Sequence, residues 1–209
     1  MNALWIWYIK KNDMESLIKV CEKYKIDTLL IHYNCYDVVD YIKELYPNRF
    51  KFELLIGDAT IDHDVMSVLE IAQRYPEDIV HLNIEHYSRT KDVQEFSDKI
   101  LNIMKILKVW DRVVTFDVQT WNHNSTYKEA MSYCDKLYLM SYSNGLIGTL
   151  WKILQWYNYP IYVGLELNQD YKRAFLHNST TNIPIIDNLC KQFLPLYFGL
   201  GIHHFGVLK

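Results

Sequence analysis

Imidazole, amide and carboxylate recur at intervals of two in Asp78–Tyr87, D-I-V-H-L-N-I-E-H-Y, as His81, Asn83 and Glu85. Side chains of an extended strand point to its two faces in turn. These three therefore share one face, and Val80, Leu82 and Ile84 share the other. A strand covered on both faces by helices normally reads as a continuous apolar run. Polar groups are costly to bury without partners, so this face is either wet or part of a polar site. Glu85, at the strand end, is placed to move a proton. Further along, Thr115, Asp117 and Gln119 oppose Val114, Phe116 and Val118, and Tyr162, Gly164, Glu166 and Asn168 oppose Ile161, Val163, Leu165 and Leu167. Gly199, Gly201, His203 and Phe205 oppose Leu200 and Ile202.

Two facing carboxylates can break a glycosidic bond. One protonates the leaving oxygen; the other attacks the sugar, or activates water when the pair stands further apart than roughly 5–5.5 Å. Glu85 and Glu166, at the ends of the fourth and seventh expected strands, resemble the acid/base and nucleophile of retaining barrel glycosidases, although the Asn-Glu dipeptide usual in those enzymes is absent because Ile84 intervenes. Glu85 would be the acid, kept protonated by a raised pKa, with Glu166 ionised. Asp117, on the adjacent strand, would favour protonated Glu85 by like-charge repulsion.

These residues need a scaffold that brings strand ends together. Strands are expected at 3–8, 28–33, 51–58, 79–86, 113–120, 136–142, 161–167 and 198–205. Between them, apolar residues recur at helical spacing, as in Met14, Leu17, Ile18 and Cys21, with Asn12-Asp13 as a cap, and in Val93, Phe96, Ile100, Ile103 and Leu107. Strands alternating with helices indicate a parallel sheet with crossover helices. Eight such repeats in one 209-residue domain predict a compact α/β fold, the (β/α)8 TIM barrel, lacking its final helix. An open doubly wound sheet is the alternative, but no glycine-rich phosphate loop follows strand 1. With no helix after strand 8, the outer faces of strands 8 and 1 would be bare. A second subunit, a further domain, or a shift of the preceding helix would cover them.

In a barrel the apolar set meets the helices and the polar set lines the interior, with the active site at the carboxyl ends of the strands. The inward residues nearest those ends are Trp7, His32, Glu85, Asp117, Tyr142, Glu166 and His203, with Asp58 ambiguous after Gly57. Trp7 and Trp121 are candidate sugar-stacking platforms; packing at the rim is the plainer role. Asn168–Thr181 reads as a long connection, either lid or loop.

Composition narrows the classes. Half of the residues are hydrophobic and net charge is −3, so a core can form and no basic stripe marks a nucleic-acid partner. No apolar run reaches membrane-spanning length. Cys21, Cys35, Cys134 and Cys190 are scattered, which suits reduced thiols. With no basic, apolar leader, the expectation is an intracellular protein. No cofactor or metal is implied.

The residues also resemble a family. Asp78–Glu85 is similar to the strand 4 signature of the family-18 glycoside hydrolases, the chitinase family, which reads D-G-x-D-x-D-x-E. Asp78 and Glu85 match; Ile79, His81 and Asn83 replace the glycine and the two inner aspartates. Leu139–Tyr142, L-M-S-Y, resembles that family's Met-x-Tyr element on strand 6 through Met140 and Tyr142, with Ser143 where an aspartate usually follows. Strands 4 and 8 also look like bacterial glycosidase-like barrels with H-L-D-I-E-P and I-H-H-Y stretches. The resemblance implies a carbohydrate substrate, Glu85 as the acid and Tyr142 beside it. Asn83 stands where the family's aspartate orients the substrate acetamido group.

Three readings follow. The first is a glycoside hydrolase with Glu85, Glu166, Asp117 and Tyr142 as its chemical groups and Trp7, His32, Asn83, Trp121 and His203 around the sugar. The second is an inactive barrel of the same descent that binds a glycan or a protein. The third is a metal hydrolase using His32, Glu85, Asp117 and His203, against which strand 1 carries Trp5-Ile6-Trp7 where such enzymes place H-x-H.

Overall fold

In the computed structural model the described residues are 2–57, 64–85, 92–120, 122–140, 146–166 and 179–203. They form eight parallel strands closed in sequence order into a barrel. Strands β1 (Asn2–Ile6), β2 (Thr28–His32), β3 (Lys51–Ile56) and β4 (Ile79–Leu82) make one half. β5 (Val114–Val118), β6 (Lys136–Met140), β7 (Ile161–Glu166) and β8 (Tyr197–His203) make the other. β8 closes on β1, with Leu4 opposite Ile202. The helices between them are α1 (Met14–Tyr24), α2 (Val38–Leu45), α3 (Val65–Arg74) and α4 (Val93–Val109). α5 (Ser125–Met131), α6 (Leu146–Leu154) and α7 (Ser179–Phe193) complete the ring. None of the described helices is long and apolar enough to cross a membrane.

The period-two reading sorts the strands correctly. Val80, Leu82, Ile84, Val114, Phe116, Val163 and Leu165 belong to the large core between strands and helices. A separate interior cluster joins Ala3, Trp5, Leu30, Leu55, Tyr138 and Tyr162. Some boundaries move. The β4 ladder ends at Leu82, where its pairing with β5 stops, although the Asn83 N–H still reaches the Ile56 carbonyl at 2.9 Å. Asp13 does not cap α1 with its side chain. It accepts the Lys10 N–H instead, fixing a short 3-10 turn ahead of the helix. α7 begins at Ser179, so the last residues assigned to the long connection are helical; residues 167–178 lie outside the described set.

The outer face of β8 and β1 is not bare. Leu4, Ile6, Leu200 and Ile202 are all buried. A groove remains beside them, lined by Lys23, Tyr24 and Lys25 at the end of α1 and by Pro184 and Asp187 of α7.

One buried cation fastens the amino end of the barrel. The Arg112 guanidinium donates to the carbonyls of Ala72 (2.9 Å), Tyr75 (2.6 Å) and Asp78 (2.5 Å), tying the end of α3 and its turn to the approach to β5. Arg112→Met keeps the stem and strips these donors. Urea unfolding should show a loss of about 2–3 kcal/mol, because hydrogen bonds from charged groups are worth more than neutral ones.

Candidate functional site

The inward row of β4 meets carboxylates on both sides. His81 is fully buried, between Glu53 of β3 and Asp117 of β5, which are buried as well. Its Nδ1 lies 2.8 Å from the Thr115 hydroxyl, which in turn donates to Glu53 Oε2 at 2.6 Å. Nδ1 is also 3.4 Å from that Glu53 oxygen. Nε2 stands 3.1 Å from Asp117 Oδ2, an ion-pair distance at an angle too poor for a hydrogen bond. The Tyr138 hydroxyl donates to Glu53 (3.1 Å) and the Trp5 indole to Asp117 (2.9 Å). The rings of Trp5 and Tyr138 meet the imidazole edge-on at 6.0 and 4.9 Å. One network thus links β1, β3, β4, β5 and β6 through the barrel interior.

Its geometry fixes its charge. Burial alone would lower the His81 pKa, but the charges of Asp117 and Glu53 on either side of the ring raise it to about 9. Burial pushes Glu53 the other way, yet the His81 contact and the Thr115 hydroxyl leave its carboxyl below the usual range. His81 is therefore an imidazolium at neutral pH.

Stability should follow pH accordingly. The His81 contribution is complete below its ordinary value of 6.5 and is lost as pH rises through about 9. The Glu53 contribution is present above its ordinary 4.5 and is lost on acidification below it. Stability from urea unfolding should be greatest between about pH 4.5 and 6.5 and fall as pH rises from about 6.5 to 9, by roughly 1–3 kcal/mol. In His81→Leu that alkaline fall should disappear.

Asn83 and Glu85 continue the row toward the carboxyl ends. Glu85 is half-buried. Burial pushes the Tyr127 phenol up, and the fields of Asp117 and Glu85 both add to the rise. Asn83 is only 4% exposed, and its Oδ1 meets no donor. The same is true of Asp117 Oδ1. Asn83 is held by its backbone: a Cβ on Gly57 would sit 2.0 Å from the Asn83 carbonyl oxygen. Gly57→Ala must therefore push β3 and β4 apart. It should lower stability by about 1–3 kcal/mol in thermal or urea unfolding, and displace the segment that carries Glu85.

At the ends of β1 and β2, His32 packs against Trp7 (5.4 Å) and Tyr33 (4.4 Å). Its Nδ1 accepts the Asn34 N–H, so Nε2 carries the proton and donates to the Gly57 carbonyl at 3.0 Å. His32 is accordingly a neutral, oriented rim residue, and Trp7 is half-buried beside it. Glu166 and His203 are register partners at the ends of β7 and β8, described here by their backbone. Tyr142, Trp121, Asp58 and Ser143 lie outside the described residues. Among the described residues no group of three or more metal-binding side chains is gathered.

Sequence reading brought Asp117, Asn83 and Glu85 into one neighbourhood. It missed Glu53, Trp5 and Tyr138. Glu53 had a signal: a carboxylate in the apolar strand K-F-E-L-L-I, in phase with inward Leu55.

With this geometry established, comparison with known proteins is informative at the level of fold. A chitinase from Bacteroides thetaiotaomicron superposes with a TM-score of 0.66 at 16% identity, covering 97% of this chain and 88% of that one. The ICChI chitinase of Ipomoea carnea gives 0.64 at 12% identity, over 97% and 94%. This chain shares the (β/α)8 barrel fold of these chitinases. A GH18 chitinase from Cycas revoluta in complex with (GlcNAc)3 gives 0.61 at 11%, over 95% and 94%. No protein-family model and no curated protein matches the sequence. The likeness is one of backbone fold; in this chain His81, Glu53 and Asp117 give the barrel interior a mixed-charge floor.

Proposed function

We propose that the barrel binds a carbohydrate at the carboxyl ends of its strands and hydrolyses a glycosidic bond, with Glu85 as general acid. The observation that carries this is the row His81–Asn83–Glu85. It rises from a buried, charge-fixed floor to a half-buried carboxylate at the rim of a chitinase-type barrel. Fold alone does not give function; the reading rests on where that carboxylate stands.

In this reading Glu85 protonates the leaving oxygen. Glu166, at the end of β7, is the second carboxylate, acting as nucleophile or as base toward water. Asn83 offers a neutral amide beside the reacting sugar; Tyr142 as a chemical group and His203 and Trp121 as sugar contacts enter this reading from the sequence. Trp7 and Trp121 supply stacking surfaces, with His32 bracing Trp7. Asp117 acts from below. Wholly buried and paired with His81 and Trp5, it shapes the field rather than meeting the substrate.

A second reading has one observation in its favour. Asn83 lacks the charge needed to orient an acetamido nucleophile, which suits a barrel that binds sugars without cleaving them. Incubating the protein with chito-oligosaccharides and aryl glycosides, with product analysis and calorimetry on the same samples, separates the two. Turnover supports the hydrolase. Binding without turnover supports the binding module, and neither result with any sugar counts against both.

A further inference from the structure

Resting on the carbohydrate reading above, we infer that the cleft prefers an amino sugar with free ammonium groups over its N-acetylated counterpart. Two features of the interior carry this. The first is charge. Glu53 and Asp117 are two carboxylates around a single imidazolium, His81, all of them at 1% exposure or less. One negative charge is left in excess where the dielectric is low and charges act over distance.

The second is a lack of donors. Asp117 Oδ2 receives the Trp5 indole and faces His81, but Oδ1 receives nothing. The β4–β5 register pairs His81 with Thr115 and Leu82 with Phe116. The Asn83 Oδ1, further along the same inward row as His81, is also a buried acceptor without a donor. Two buried acceptor oxygens of the interior thus receive no hydrogen bond.

Among the described residues the surroundings do not cancel it. His81 is faced by Glu53 from β3, Thr115 and Asp117 from β5, Tyr138 from β6 and Trp5 from β1. Besides His81, the cation whose field reaches Glu53 is Lys136. It starts β6 at the opposite, amino end and lies over the rings of Tyr162 and Phe198. At the carboxyl end, the described inward positions Trp7, His32, Gly57, Asn83, Glu85 and Gln119 add one carboxylate and no lysine or arginine. His32 is held as the neutral tautomer. A cleft walled by charge of one sign concentrates ligands of the other. A free amino sugar brings that cation. It also has no acetamido group needing a carboxylate at position 83, and the Glu85–Glu166 route requires none.

Calorimetry with the glucosamine tetramer (GlcN)4 and with (GlcNAc)4 tests this, run below neutral pH where the amines are protonated. The wild type should bind (GlcN)4 about 10-fold more tightly at low salt. Raising the ionic strength to about 0.5 M should shrink that preference several-fold, and Asp117→Asn should shrink it at low salt. If Asp117→Asn does not fold, the wild-type comparison and its salt dependence decide alone. Equal or tighter binding of (GlcNAc)4 overturns the inference and leaves the carbohydrate reading intact. A preference for (GlcN)4 that ignores salt also overturns it. Failure to bind either sugar overturns the inference, and the carbohydrate reading falls with it if the wider panel of chito-oligosaccharides and aryl glycosides is also silent.

Discussion

His81→Leu should cost about 3–5 kcal/mol of folding stability, the range expected when one member of a buried ion pair is removed. The leucine fills much of the imidazole volume, so the loss is electrostatic rather than a cavity effect. Two carboxylates, Glu53 and Asp117, would be left with no cation between them, and each would have to take up a proton or remain charged in a low dielectric. The domain holds only about 5–15 kcal/mol in total, so urea unfolding at neutral pH should register the change as a large shift of midpoint. The loss should not add up along the network. Glu53→Gln and Asp117→Asn made together with His81→Leu remove the stranded charges, and the triple variant should recover at least half of the deficit of the single one. If His81→Leu unfolds within about 1 kcal/mol of wild type, a threshold below ordinary core substitutions, the imidazolium clamp is not what holds the interior together.

Glu85→Gln should reduce turnover by about 10²–10⁴-fold, the usual contribution of a positioned general acid, with little change in stability. Glutamine is isosteric and Glu85 is half-buried at the rim, so unfolding should move by less than about 0.5 kcal/mol. Affinity for the substrate should persist, because the lost group acts on the leaving oxygen as the bond breaks. A loss confined to KM would instead assign Glu85 to binding alone. The contrast between these two neighbours on one strand is itself informative. Position 81 should carry stability, and position 85 should carry rate.

The period-two alternation made much of this legible in the sequence. It sorted β4, β5, β7 and β8 into an outer face that packs on helices and an inner face that is polar. It also put Asn83, Glu85 and Asp117 on the same side. What it could not supply was register. Glu53 and Asp117 lie 28 and 36 residues from His81 along the chain, and only the pairing of Leu55 with His81, and of His81 with Thr115, brings them together. Asp117 accordingly appeared as a bare neighbour of Glu85, when it is the partner of an imidazolium and an indole. Helix count suggested that the outer faces of β8 and β1 would be bare unless a subunit, a further domain or a shift of the preceding helix covered them. Burial of Leu4, Ile6, Leu200 and Ile202 shows those faces covered, which a count of helices could not supply. The caps were read less well than the faces, because a 3-10 turn took up the Asp13 carboxylate.

The most direct test of Glu85 as general acid is a leaving-group series. Wild type and Glu85→Gln would be compared on aryl glycosides of the responsive sugar, from alkoxide-like to nitrophenyl leaving groups. A poor leaving group needs a proton as the bond breaks, and an activated one does not. The account predicts a deficit of about 10²-fold or more for the poorest leaving groups, shrinking toward parity for the most activated. Full activity of Glu85→Gln throughout the series, or a deficit independent of the leaving group, would contradict it.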